Sequence, residues 1–532
     1  MFEKNQPIDV VIIGGGFSGS KMAVDLLQNH QARSVVLIEK NEGMIGGGLA
    51  YGTACADNMH QTNLPASRMK GTSYNLDFDF LSGFEDKFSP DRRKVMNRRE
   101  YGEFIKRRLA RMKARYDDFQ IIQGEVHDIK EKGHFNIVSL ADGTEIKARH
   151  TVIATGNSEL KRLPCLSDEV LSDPDIAERV TVNQWDVNEK SKLKNIPRYG
   201  SVLIVGTGLS GDDAFRSLLH SGFRGNVIMA SRNGYRHFPY RNKHKDLKPY
   251  RNSVPAFMWQ IRAGNYSPKE VLQSALNEFE QLTGIHVNSE TGQLRRRTLW
   301  ERASQTIRPV PYSSEEVLND WQRYVPEIAE FLGPKEFGKV ISHYGALLNT
   351  LRVGAGYDVS REIRNAQKLG ARPFLSIKAA NLMDVRLSSA GQKLNVTYKD
   401  TETGEEQVWQ VDHIISSLGP NYDFSHSNHS LWQNLYRRGY ASTHATGVGL
   451  DVNKNGLLAG AKTITAIGPV TAGQRMLDDG IIGPPAYSVP GMSSSIDRAR
   501  EAVAQKIRKS VSRNQGAAPK LSPELERLKY AW

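Results

Sequence analysis

The chain predicts an α/β protein with two parallel sheets, each wound by helices, and a helical segment inserted late in the second. Three observations carry that expectation. An apolar strand, Asp9-Val-Val-Ile-Ile13, leads straight into Gly14-Gly15-Gly16-Phe17-Ser18-Gly19. The design returns at Ser201-Val-Leu-Ile-Val205, which leads into Gly206-Thr207-Gly208-Leu209-Ser210-Gly211. Two further apolar strands, Thr151–Ala154 and His413–Leu418, each end on a glycine-containing turn.

A length of 532 residues exceeds what one core serves, so two or three domains are expected. No stretch approaches the ~20 apolar residues that cross a bilayer. Met1–Asp9 lacks the basic-then-apolar shape of an export signal, and a cytoplasmic protein is expected. Cys55 and Cys165 are far apart and form no Cys-x-x-Cys, which disfavours a dithiol redox site and a zinc cluster. No metal is expected. The net charge of +13 comes without any nucleic-acid-binding motif, so it is read as serving anionic small molecules or as a solvated surface.

The first loop reads as a dinucleotide site. Gly14 permits the tight turn, Gly16 lets backbone approach a pyrophosphate, and Gly19 lets helix and strand pack closely. Phe17 and Ser18 lie within the loop as further cofactor contacts, and an amphipathic helix is expected over Ser20–Asn29, its free N–H groups facing the phosphates. The strand Ser34–Ile38 then delivers Glu39, placed to accept hydrogen bonds from a ribose diol, with Lys40 beside it.

At the second loop Gly206, Gly208, Leu209, Ser210 and Gly211 repeat the pattern, and a helix to His220 and a strand Asn226–Ala230 follow. The acid is missing, and Ser231-Arg232 stands there instead. A carboxylate repels a 2′-phosphate, whereas a hydroxyl and a guanidinium bind one, so NADPH is expected over NADH. The basic run Arg236, Arg241, Lys243, Lys245, Lys248 and Arg251 fits either the same phosphates or a solvated loop.

The remaining segments set the organisation. Asp142-Gly143 reads as a hairpin turn. Thr151–Ala154 delivers Thr155-Gly156, and a meander over Leu394–Val411 precedes His413–Leu418 and Gly419-Pro420. Thr463–Ile467 enters Gly468-Pro469, ahead of a helix over Ser494–Ser510. The expected division is 1–160 with 411–512 for a discontinuous first domain and 161–240 with 376–410 for the second. Residues 241–375 form a mostly helical insertion suited to substrate specificity, and 513–532 a mobile tail. Of the aromatics in the insertion, Trp259, Trp300, Trp321, Tyr324 and Tyr344 are read chiefly as core.

Two such loops flanking Ala154-Thr155-Gly156 resemble the two-dinucleotide-binding flavoproteins, with two Rossmann-like domains of glutathione-reductase-like fold. That group includes N-hydroxylating and Baeyer–Villiger monooxygenases. More narrowly, Gly47–Gly52, His60–Met69, Arg98–Phe104 and Gly468-Pro469 resemble a bacterial FAD/NAD(P)-binding family that includes an aspartate N-monooxygenase forming nitrosuccinate. The resemblance covers residues 8–235 and 410–510. Residues 240–375 lack the Arg-His-Arg helix of many relatives and carry Leu351-Arg352-Val353, which leaves the substrate open.

The resemblance implies FAD at the first loop and NADPH at the second. Gly46–Tyr51, with Gly48 and Leu49, is backbone able to approach the flavin ring unobstructed. Asn63 is the candidate that holds an oxygenated flavin, or else it bonds its own loop. Arg99 is assigned to the FAD pyrophosphate and Val126 to the adenine, and Thr155, Gly156 and Gly468 complete that site. The implied activity is an FAD- and NADPH-dependent monooxygenase using O2. It would hydroxylate a small molecule at an amine or amino-acid nitrogen through a flavin C4a-hydroperoxide. The alternatives are a reductase passing electrons to a quinone or protein, and a non-enzymatic FAD redox sensor.

Overall fold

The computed structural model describes residues 6–52, 56–65, 69, 95–156, 160–237, 254–294, 312–354, 356–480, 482 and 489–514. The chain opens with β1 (Ile8–Ile13), α1 (Phe17–Gln28) and β2 (Val35–Glu39), and both strands are buried throughout. The helix starts three residues ahead of the expected Ser20, because Gly16 is extended and caps it. Its surface is buried from Phe17 to Leu27, so it lacks the polar face an amphipathic reading requires. Even Lys21 is enclosed, paired with Asp25 and with Asp497 from the far end of the chain.

A short antiparallel ladder, β3 (Gln61–Pro65) with β4 (Val95–Asn97), precedes α2 (Arg98–Arg115). Next come β5 (Phe119–Gln123) and β6 (Val126–Lys132), separated by Gly124 and Glu125. β7 (Phe135–Leu140) and β8 (Glu145–Ile153) form the antiparallel hairpin across Asp142-Gly143. The first sheet runs β5-β2-β1-β8-β7-β6, with β1 parallel to β2 and β8.

The second sheet gathers β9 (Val180–Thr181), β10 (Ser201–Val205), β11 (Asn226–Ser231), β12 (Phe374–Leu387), β13 (Leu394–Asp400), β14 (Glu406–Val411) and β15 (His413–Ser416). Their order is β14-β13-β12-β11-β10-β15-β9, and α3 (Leu209–His220) links β10 to β11. Two expected boundaries shift. Phe374 and Leu375 already pair with β11. β15 pairs with β10, Val202 opposite His413, so the chain leaves the second sheet at Gly419-Pro420 and not at 411.

Between β11 and β12 the described residues are mainly helical: Ala256–Ala263, Pro268–Thr283, Ser314–Trp321, Val325–Leu332, Pro334–Arg352 and Tyr357–Ala366. Ser267 with Glu270, and Ser313 with Glu316, cap two of them reciprocally. Trp321, Tyr324 and Tyr344 share one core with Phe257 and Phe279. Trp259 is 61% exposed and is not core; Trp300 lies outside the described residues.

The chain then returns to the first sheet. β16 (Ile464–Ala466) runs parallel to the end of β8, and α4 (Val489–Asn514) packs with α1 through Val503 and Ile507. α4 exceeds the expected Ser494–Ser510 at both ends and takes in two residues of the expected tail; 515–532 lie outside the described residues. Among the described residues no helix is long and apolar enough to cross a membrane.

Candidate dinucleotide sites and the cleft between them

At the C-terminal edge of the first sheet, φ of +107° at Gly14 turns the chain out of β1. A Cβ there would lie 2.4 Å from the Ala154 carbonyl oxygen. A Cβ on Gly19 would lie 2.0 Å from the Gly14 carbonyl oxygen, so α1 sits closer to β1 than any side chain allows. Gly16 faces Gly48 across the loop, 3.3 Å from a Cβ on Gly16 to the Gly48 Cα, and the Gly46 N–H donates to the Gly15 carbonyl at 2.7 Å. Gly48 and Leu49 begin a short helix there. The result is a cradle walled by backbone, which is what an extended diphosphate requires.

Glu39 is buried and holds that loop. Its Oε2 accepts from the Gly15 N–H at 2.8 Å and its Oε1 from the Asn41 N–H at 3.1 Å. Each oxygen keeps a lone pair for a sugar hydroxyl. Phe17 and Ser18 are buried in the first turn of α1, and Gly468 packs so closely that a Cβ on it would lie 2.6 Å from the Ser18 Oγ. Thr155 and Gly156 follow β8 at the same edge, and the Thr155 Oγ1 is buried with no partner among the described residues. Val126 is buried at the start of β6, near Glu39 because Gly124 N–H donates to the Glu39 carbonyl. Lys40 instead faces solvent, 3.8 Å from Glu125 Oε1. The first loop, Glu39, Thr155, Gly156 and Gly468 thus converge, and the set fits a dinucleotide.

The two arginines heading α2 part company. Arg99 is exposed, with its Nη1 3.4 Å from Asn58 Oδ1. Arg98 is half-buried and crosses to the second domain: it pairs with Asp213 Oδ2 at 3.0 Å, donates from Nε to the Gln61 carbonyl at 2.8 Å, and lies over the Trp185 ring. Asn63 is in β3, but its side chain lies outside the described residues, as do Ala66–Arg68 and Cys55.

The second loop repeats the first. Gly206 has φ of +120°, and a Cβ there would lie 2.7 Å from the Ser417 carbonyl oxygen; a Cβ on Gly211 would lie 2.2 Å from that of Gly206. Gly208 caps α3, and Leu209 and Ser210 form its half-buried first turn. The Ser231 Oγ is engaged within its own loop, with Thr207 Oγ1 at 2.8 Å and Gly234 N–H at 3.1 Å. Arg232 is exposed. Lys161 is exposed too; partial desolvation, and then the Arg232 charge, hold its ammonium below the usual range. Lys161 escaped the sequence reading because it lies on the far connection between domains. Within the basic run, Arg236 is committed to Asp212, Nη2 to Oδ1 at 2.8 Å; Arg241–Arg251 lie outside the described residues.

Where β3, α3 and the insertion meet is a cleft lined by Gln61 and Thr62 of β3, Leu209, Asp212 and Asp213 of α3, and Gly356 and Val359 of the insertion. Asp212 is 1% exposed, and burial raises its carboxyl to about 6 against the pull of Arg236. The domains are latched beside it: His60 Nε2 lies 3.1 Å from Ser217 Oγ, which donates to Asp57 Oδ2 at 2.9 Å, and Arg216, paired with Glu362 of the insertion, donates from Nη1 to the Met59 carbonyl. Burial lowers the His60 imidazole below its usual range.

Residues 11–158 match a family model described as FAD-NAD(P)-binding, so this stretch is a domain of that kind. No curated protein sequence matches the chain. Among solved structures, the reduced form of the ornithine hydroxylase PvdA from Pseudomonas aeruginosa is 14% identical with a TM-score of 0.58, over 94% of this chain and 100% of that one. The ornithine N-hydroxylase KtzI of Kutzneria sp. 744, solved with reduced FAD, NADP+ and L-ornithine, is 14% identical with a TM-score of 0.58, over 95% and 100%. DfoA, the cadaverine monooxygenase of Erwinia amylovora bound to FAD, is 14% identical with a TM-score of 0.56, over 95% of each chain. The likeness is one of fold.

Proposed function

We propose that this chain is an FAD- and NADPH-dependent monooxygenase that hydroxylates the nitrogen of a small amine or amino acid. The observation that carries the reading is the pair of backbone-walled cradles at Gly14 and Gly206, in a fold that KtzI and DfoA, an ornithine N-hydroxylase and a cadaverine monooxygenase, share at TM-scores of 0.58 and 0.56. The balanced reaction is R–NH2 + O2 + NADPH + H+ giving R–NHOH + H2O + NADP+. When bound, FAD supplies two-electron reduction and oxygen activation.

The chain's own residues bind and orient. The Gly14–Gly19 loop, with Glu39, Thr155, Gly156 and Gly468, would hold FAD, and Gly48 and Leu49 would leave room beside its ring. Val126 would contact the adenine, while Lys40 and Arg99 would reach the FAD phosphates only by leaving their present partners. The loop Gly206, Gly208, Leu209, Ser210 and Gly211 would hold NADPH, with Arg232 and Lys161 at its 2′-phosphate and Ser231 shaping the turn. Asn63 is the proposed catalytic residue beside the flavin. The two cysteines are not spaced for a disulfide reductase. Supply of NADPH suits a cytoplasmic enzyme.

The test follows NADPH oxidation, O2 uptake, peroxide and hydroxylamine together, with ornithine, lysine, cadaverine, aspartate and n-butylamine as substrates. An amine that raises hydroxylamine at the expense of peroxide is the expected result, and Asn63→Ala should return those electrons to peroxide. Turnover that yields only peroxide with every amine, or that passes to quinones instead, would sink the reading.

A further inference from the structure

The cleft between β3, α3 and the insertion holds two buried acceptors that no donor among the described residues reaches. Asp212 Oδ1 takes the Arg236 guanidinium, but Oδ2 is buried with no hydrogen-bond partner among the described residues. Across the cleft the Gln61 Oε1 is likewise buried and unpartnered. Asp213 is satisfied by Arg98, and the Thr62 hydroxyl donates to the Leu64 carbonyl while accepting from the Met96 N–H. Gly356 and Val359 close the third side without polar side chains, and a Cβ on Gly356 would lie 3.6 Å from Gln61 Oε1.

A buried acceptor left unmatched costs about 1–3 kcal/mol, and more for a charged group. A ligand that brings N–H donors removes that penalty at both atoms. A carboxylate or phosphate would bring further acceptors against these two oxygens, and an alcohol carries one hydrogen for two acceptors. An ammonium carries three hydrogens and a charge that complements Asp212.

We propose that this cleft receives the ammonium group of the amine substrate, with Asp212 and Gln61 as the residues that recognise it. The proposal rests on the N-hydroxylase reading for the identity of the ligand and on the two orphan acceptors for its place. It assigns the three elements distinct parts: α3 provides the charge, β3 the neutral acceptor, and the insertion the wall that limits the carbon chain.

The test is calorimetric titration of the oxidised holoprotein, with and without NADP+, using the same five amines and n-butanol as the uncharged control. At least one amine should bind and n-butanol should not. Asp212→Asn should weaken amine binding at least tenfold while NADP+ affinity stays within twofold. Gln61→Leu touches no ion pair and should weaken it severalfold, which keeps the test open if Asp212→Asn folds poorly. The proposal falls if no amine binds the wild type, or if the variant that folds binds it within twofold of the wild type. It also falls if amine and NADP+ affinities drop together, since the occupant would then be the nicotinamide carboxamide. Binding that responds as expected but yields no hydroxylamine would overturn the enzymatic reading and leave the cleft assignment standing.

Discussion

At Gly14 and again at Gly206 the chain makes one turn for one reason, and the two sites then diverge. Both glycines sit at positive φ against a neighbouring carbonyl, Ala154 in the first domain and Ser417 in the second. The repeat reaches deeper than the loops. Val10, four residues ahead of Gly14, lies opposite His150; Val202, four ahead of Gly206, lies opposite His413. Each histidine meets a threonine of the next strand, His150 Nε2 with Thr465 Oγ1 at 2.9 Å and His413 Nε2 with Thr181 Oγ1 at 2.8 Å. The divergence begins after the second strand of each unit, where buried Glu39 is replaced by Ser231 and exposed Arg232. The difference teaches that one turn geometry can carry two endings: a buried acid that holds its own loop in the first unit, and a loop-bound hydroxyl with an exposed guanidinium in the second.

The comparison breaks most readily at the tightest contacts. Gly19→Ala puts a methyl 2.0 Å from a backbone oxygen, and Gly211→Ala puts one at 2.2 Å. Each should cost about 3 kcal/mol or more, since backbone cannot step aside as a flexible side chain can. Gly19→Ala should yield protein without flavin, while Gly211→Ala should keep its flavin and lose NADPH binding. Absorbance for flavin content and NADPH titration read the two outcomes. Reversed losses would exchange the sites.

A smaller effect comes from the paired histidines. Burial lowers both His150 and His413 to about 3, against an ordinary 6.5. The unfolded chain therefore takes up protons first as pH falls below 6.5. Stability contributed by these neutral rings is whole above that pH and declines toward 3, by ~1.4 kcal/mol per pH unit for each histidine. Urea unfolding at pH 7, 6 and 5 should show a shallower acid decline in His150→Gln and in His413→Gln than in the wild type. Equal slopes would mean that the rings already carry protons in the folded protein.

The smallest separates the two cofactor ends. Arg232→Ala should lower NADPH affinity roughly tenfold to hundredfold, the worth of a charge-assisted bond at ~1.5–3 kcal/mol. NADH affinity should stay where it was. Lys40→Ala, which removes an exposed pair at 3.8 Å, should shift flavin affinity less than threefold. A larger Lys40 effect would show that this lysine turns onto the flavin cofactor.

Much of this was legible because it is local. Glycine spacing, β-branched runs and the Asp142-Gly143 turn act over a few residues, so strands and loops could be placed from the chain alone. The start of α1 was not, because α2, α4 and the sheet bury it on all sides and leave no polar face to read. Nor was the sheet to which β15 belongs, since a strand of four residues with two isoleucines at its centre pairs equally well in either. Arg98 and Arg99 are chemically equal in sequence, and only the approach of Asp213 separates them. Asp212 was visible beside the second loop, but its orphan oxygen exists only once β3 and the insertion close over it.

The route of the chain through the first sheet bears on how the protein is made. A ribosome delivers β1, α1 and β8 early, then the whole second sheet, and only afterwards β16 and α4. Until residue 507 has emerged, the apolar side of α1 that meets Val503 and Ile507 has no cover, and Lys21 lacks Asp497. The second domain has every strand it needs by Ser416 and can close while the first waits, half built, at the other end of the same nascent chain. Synthesis therefore reverses the reading order: the unit begun first is finished last, and the flavin site matures only near the end of translation.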